Sequence, residues 1–155
     1  MSDDLRELYQ ELILDHARAP RNFRVMEHAD RESLGANPLC GDRLKIALAL
    51  DEDGRIKDAA FFGKGCAISM ASASLMTELV RGRTQEEAEV LFHTFHDLCT
   101  GDKAAEAMSR IDPDTFDRLT ALSGVKRFPM RVKCATLAWH ALEAALHQQN
   151  QTSTE

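Results

Sequence analysis

The sequence contains no apolar run long enough to cross a bilayer, which excludes a membrane-spanning helix. It has no stripe of Lys and Arg interleaved with aromatic residues, and its formal net charge is −6. A nucleic-acid binder needs a positive footprint to displace counterions, so that class is excluded as well. The opening stretch MSDDLRELYQ is acidic. It has neither the basic start nor the apolar core of a signal peptide, and the expected compartment is the cytoplasm. Cysteine is scarce, with four residues and no CxxC pair. A reducing compartment disfavours a disulfide framework, which leaves metal binding or thiol chemistry as the expected use of these cysteines. No internal repeat and no second composition is present. Residues 1–148 therefore read as one domain, long enough to bury a core without disulfides, and 149–155 read as a polar, disordered tail.

The pattern of what is present alternates between two periods. Leu5, Leu8, Leu12 and Ile13 recur at helical spacing within 3–18, and Pro20 ends that helix. A short strand fits within 32–38. In RLKIALAL, Leu44, Ile46, Leu48 and Leu50 alternate with Lys45, Ala47 and Ala49, the period of a half-buried strand. The polar residues Asp51–Gly54 form a loop, and RIKDAAFFG returns as the second strand of a hairpin. AISMASASLMTELVRG is a helix rich in small residues, closed by Gly82. Thr84 and Glu87 form a capping box for the next helix. Asp112 and Pro113 suit the cap and first position of a short helix through Leu122. A last helix runs from about Arg131 to His147.

This hairpin brings distant residues together. With Asp51–Gly54 as the loop, Leu50 faces Arg55 and paired positions sum to 105, so Cys40 lies opposite Gly65, beside Cys66. Asp42, two places after Cys40, points to the same side of an extended chain. Cys66 begins the small-residue helix and Cys134 is placed in the first turn of the last one, where the helix dipole favours a thiolate. Three thiolates and one carboxylate suit a tetrahedral divalent ion, most simply zinc. They leave an excess charge of −2 for Arg127, Arg131 and Lys133 to offset. Taken singly, each cysteine could be a small buried hydrophobe, and a purely structural Cys3Asp zinc site is a further alternative.

Other residues invite plainer readings. His93 and His96 could share a metal on one helix face, but no further ligand is evident. A stripe on an ordinary helix is the simpler reading, with Cys99 a buried or incidental thiol. His140 and His147 fit the surface or core edge. Trp139, the Phe61–Phe62 pair, Met70 and Met76 fit packing. His16 either caps the first helix or borders the site.

The segments around the cysteines carry a resemblance. NPLCGDR (37–43), GKGCAISMASASLM (63–76) and RFPMRVKCATLAWHAL (127–142) are similar to the SufU branch of the NifU/IscU-type iron–sulfur assembly proteins. DHARAPRN (15–22) resembles that family's DHYxxPRN, with Ala17 in place of tyrosine. The resemblance implies an α+β fold of the SufE/IscU type, a small antiparallel sheet packed on one face by helices. It implies that Cys40, Asp42, Cys66 and Cys134 are zinc ligands. A histidine precedes the last cysteine in IscU-like scaffolds; here the residue is Lys133, which removes a potential cluster ligand. The longer segment 84–124 also fits the SufU branch. The function so implied is sulfur transfer, with persulfide sulfur taken from a pyridoxal-phosphate cysteine desulfurase of the SufS type and passed to downstream iron–sulfur assembly machinery. Cys40, in a glycine-flanked loop, is the expected acceptor, and Arg131 supports docking. The alternative is a scaffold on which a transient iron–sulfur cluster is built.

Overall fold

The computed structural model of the chain describes residues 3–38, 41–101, 110–148 and 151–153. Helix α1, Asp3–Arg18, stops just ahead of Pro20. Helix α2, Ala67–Val80, ends at Arg81, and Gly82 then turns the chain away at φ +83°. Helix α3, Gln85–Thr100, opens on a complete capping box. The Thr84 hydroxyl accepts the Glu87 N–H at 3.1 Å, and the Glu87 carboxylate accepts the Thr84 N–H at 3.0 Å. Helix α4, Pro113–Ser123, has Pro113 at its start, and the Asp112 carboxylate accepts the Thr115 N–H at 3.0 Å. A 3-10 turn, Gly124–Arg127, leads into α5, Pro129–Leu146. Among the described residues no helix is long and apolar enough to cross a membrane.

Strands β1 (Arg31–Asn37), β2 (Asp42–Leu50), β3 (Ile56–Lys64) and β4 (Gln151–Ser153) form one sheet in the order β3-β2-β1-β4. The first three are antiparallel, which makes the fold α+β, as the sequence leads one to expect. Leu44, Ile46, Leu48 and Phe61 are buried in the layer shared with α2 and α5, while Arg43, Lys45, Phe62 and Lys64 stay exposed on the other face. Period-2 alternation produces this division. The expected disordered tail is corrected at 151–153. These residues add to β1 in parallel, Leu34 pairing with Gln151, and so cover backbone groups that β1 would otherwise leave on an open edge.

The hairpin register also differs from the expected sum of 105. Arg43 pairs with Lys64 and Leu48 with Ala59, a sum of 107, and a bulge at Ala49/Leu50 brings Leu50 opposite Ile56. The cause is the loop. The Asp51 carboxylate accepts the N–H groups of Asp53 and Arg55, both at 2.9 Å, and Gly54 sits at φ +82°, so the turn takes up five residues. Continued toward the open end, this register sets Asp42, rather than Cys40, across from Gly65.

Helix α2 lies between α1 and α5, and its small side chains let both approach. Each buried hydroxyl along it has a partner. Ser72 donates to the Ala135 carbonyl and accepts from the Trp139 indole at 3.1 Å. Ser74 accepts the Arg21 N–H at 2.8 Å and meets His16 Nδ1 at 2.7 Å. His16 is 3% exposed and its Nε2 lies 3.5 Å from Glu78, so it ties α1 to α2. Burial holds its pKa below the ordinary value, and Arg21 pushes the same way against Glu78 and Asp15. The folded chain therefore resists a proton that the unfolded chain accepts at about pH 6.5. His16 contributes stability that is full above that pH and is lost as pH falls toward its lowered folded value. His140, held low by burial and by His96, adds a slope of the same sign. Denaturation midpoints taken from about pH 7.5 down to about pH 5 are expected to fall less steeply in His16→Asn than in the wild type. Equal slopes would mean that His16 carries no such linkage.

Candidate functional site

Three of the four expected site residues come together at the open end of the hairpin. A carboxylate oxygen of Asp42 and the Sγ atoms of Cys66 and Cys134 lie within 4.8 Å of one another. Among the described residues this is the one such triplet of His, Cys, Asp or Glu. Cys40, the fourth, lies outside the described residues.

Each side chain arrives by a different route. Asp42 is the first residue of β2 and points inward by strand parity, in line with Leu44 and Ile46. Cys66 is the N-cap of α2, with extended backbone at φ −69° and ψ 172°. Its N–H donates to Asp42 Oδ1 at 3.1 Å, the bond that the 107 register makes possible. Cys134 descends from α5. That helix begins at Pro129, two residues earlier than expected, so Cys134 stands in the second turn. Cys66 thus stands at a helix start, as expected, whereas Cys134 lies a turn inside its helix. Cys134 is 1% exposed, and its Sγ lies 3.7 Å from the Met130 carbonyl. Cys66 is half-buried.

Ser69 has no place in the sequence reading, yet it joins the three. Its hydroxyl lies 2.6 Å from Asp42 Oδ2, 3.2 Å from the Cys134 carbonyl and 3.6 Å from Cys66 Sγ. The signal was available in the spacing, because Ser69 follows Cys66 by three positions on a helix and so shares its face. Gly65 makes room for this contact: a Cβ there would stand 2.8 Å from Ser69 Cβ. Asp42 is 4% exposed, and the Cys66 N–H and the Ser69 hydroxyl replace the water it loses.

The donor set fits a zinc ion. Ligand atoms around tetrahedral zinc stand about 3.5–3.8 Å apart, so a contraction of about 1 Å within the observed 4.8 Å would gather these three. Beside this triplet the Gly41 N–H donates to the Asn37 carbonyl at 2.9 Å and Gly41 takes φ +73°. Arg131 is exposed and Lys133 half-buried near the start of α5; the side chain of Arg127 lies outside the described residues.

The remaining candidates stand apart from this cluster. Cys99 is 1% exposed, and burial pushes its thiol up to about 12, which leaves it protonated and inert at neutral pH. His96 and His140 face one another with ring centroids 5.8 Å apart, both against Phe92. They pack α3 on α5. His147 pairs with Glu89. Trp139 is buried against Phe95, in keeping with a packing role.

Comparison with known proteins places this geometry. Residues 8–99 match the model of the NifU-like N-terminal domain. The chain belongs to that family. Within it, the chain is 41% identical over 140 residues to the zinc-dependent sulfurtransferase SufU of Bacillus subtilis, covering 90% of each protein. It is 37% identical over 142 residues to the iron–sulfur cluster assembly scaffold protein IscU of Streptococcus pyogenes, covering 92% of this chain and 84% of the relative. Among solved structures, one described as a candidate iron–sulfur cluster assembly scaffold for the SUF system of Fervidobacterium islandicum superposes with a TM-score of 0.75 at 31% identity. It covers 91% of this chain and 98% of that one. The superposition covers 91% of the chain, so the sheet-and-helix arrangement is that of the NifU-like family.

Proposed function

We propose that this protein accepts sulfane sulfur from a pyridoxal-phosphate cysteine desulfurase of the SufS type and carries it toward iron–sulfur cluster assembly, with zinc held by Cys40, Asp42, Cys66 and Cys134. The observation that carries this reading is the meeting of one carboxylate and two thiols within 4.8 Å, from three elements far apart in the chain. A bound zinc ion would keep its cysteines deprotonated at neutral pH. Lys133, where IscU-like scaffolds carry a histidine, favours sulfur transfer over cluster assembly.

Cys134 is buried and Cys66 is half-buried at a helix cap. Cys40, between Leu39 and Gly41 in the segment joining β1 to β2, is the thiol assigned to the reaction. Its thiolate attacks the outer sulfur of the desulfurase persulfide. The bond from that sulfur to the desulfurase cysteine breaks, its electron pair leaves on the desulfurase thiolate, and a new S–S bond forms on Cys40. No net oxidation occurs. Exposed Phe128 and Met130, 62% and 63% accessible, precede the exposed Arg131 at the start of α5. Together they offer a desulfurase an exposed apolar surface next to the Arg131 cation.

The test combines metal analysis with a desulfurase assay. One zinc per chain and a rise in cysteine turnover on adding the zinc-loaded protein are expected, with persulfide detectable on it by mass spectrometry. Zinc binding without stimulation or persulfide would reduce the site to a structural one. Anaerobic reconstitution that yields a stable cluster in place of persulfide would favour the scaffold reading instead.

A further inference from the structure

One buried side chain beside the thiols has no partner. Asn37, the last residue of β1, is 1% exposed, and among the described residues neither its Nδ2 nor its Oδ1 has a hydrogen-bond partner. A buried carboxamide with both ends unsatisfied is costly, and native proteins rarely keep one without a use. Its place gives the use. The sheet register pairs Asn37 with Asp42, so the two side chains stand side by side on the inner face. The other flank of Asp42 is already taken by the Cys66 N–H and the Ser69 hydroxyl. Two residues back on the same face, a Cβ on Gly35 would touch Leu137 and Ala141 of α5. The next inward position toward the strand end therefore comes under the preceding turn of α5, which carries Cys134. The Asn37 carbonyl also closes the loop that bears Cys40 by accepting the Gly41 N–H.

We propose that Asn37 is a positioning residue, whose side-chain amide donates to the thiolate–carboxylate cluster when the metal gathers it. The inference rests on the zinc-site reading above. Three thiolates and a carboxylate around a divalent ion retain excess negative charge, and an N–H donor relieves it without adding an ion to the sheet interior. An outer hydrogen bond of this kind orients the ligand it reaches, and its loss is felt as about a 10- to 100-fold drop in metal affinity. The amide is thus unsatisfied without metal and satisfied with it. A residue that merely supports the fold would behave in the opposite way.

The experiment compares the wild type with Asn37→Leu and Asn37→Ala. Thermal midpoints are taken with and without zinc, affinity by chelator competition, and the sulfur-to-metal charge-transfer band after cobalt substitution. Asn37→Leu is expected to melt at or above the wild-type temperature without metal, because the orphaned amide is gone. Its zinc affinity is expected to fall about 10- to 100-fold, and its cobalt band to shift as a thiolate loses a donor. Asn37→Ala, which leaves a small cavity, melts lower without metal but shows the same loss of zinc. Wild-type affinity and an unmoved band in both variants would overturn the inference and leave the zinc reading standing. So would equal destabilisation of Asn37→Leu with and without metal. A wild-type chain that takes up no zinc would overturn the site reading and this inference together.

Discussion

Cys40→Ala is expected to leave a folded protein whose sulfur acceptance falls on the order of 10²-fold or more, the scale on which loss of a nucleophile is felt. The fold should survive because the loop bearing Cys40 lies at the end of a hairpin whose inward residues, Leu44 to Leu48, belong to a continuous core. Zinc should weaken as well, but Asp42, Cys66 and Cys134 remain within reach of one ion. Metal content and desulfurase stimulation therefore part company in this variant. Cys99→Ala supplies the control. Its thiol is buried and held protonated, so the substitution is expected to leave stimulation at the wild-type level. The measurement is desulfurase turnover together with mass spectrometry of the carrier. Wild-type stimulation by Cys40→Ala would remove the acceptor assignment and move it to Cys66, which is half-buried where Cys134 is buried.

The second large effect is on stability, at Gly63. This residue takes φ +142° in β3, and a Cβ there would stand 2.1 Å from the Arg43 carbonyl oxygen and 3.1 Å from Leu44 Cα. Both obstacles are backbone, so a side-chain rotation cannot relieve them. Gly63→Ala must open the β2–β3 ladder one step from Asp42, at an expected cost of about 3 kcal/mol or more. That is a large share of the roughly 5–15 kcal/mol that holds a domain together, and the melting temperature is expected to fall by about 10 °C. Gly41→Ala gives the contrast. Its φ is +73°, but nothing lies within 4 Å of the added Cβ, so only the left-handed backbone is penalised, by about 1–2 kcal/mol. Thermal melts of the two metal-free variants measure the difference. A Gly63→Ala protein as stable as Gly41→Ala would mean that the ladder yields there at little cost.

Much of this protein was legible before any coordinate. The capping box at Thr84 and Glu87, the Asp112–Pro113 start of α4, and the alternation from Leu44 to Leu50 are local signals, and each element formed where its signal lay. The resemblance of three separate motifs led to the NifU-like family, and the match over 8–99 shows it. The differences lie in where elements begin and how they pair. The hairpin pairs on 107 instead of 105 because Asp51 gathers two N–H groups and lengthens the loop. The last helix begins at Pro129 rather than at about Arg131, and this moves Cys134 a turn inward. The polar tail was read from composition, yet an open strand edge accepts any backbone, and residues 151–153 pair with β1.

Sequence by itself therefore determined most of the elements and the family, because period, cap and motif are properties of neighbours along the chain. Only the tertiary structure decided that Ser69 bridges Asp42 to Cys134, that Cys99 is inert and that Asn37 is left without a partner among the described residues. Those outcomes depend on which side chains meet across β1, β2, α2 and α5. Burial and hydrogen-bond satisfaction belong to that meeting and to no single stretch of sequence.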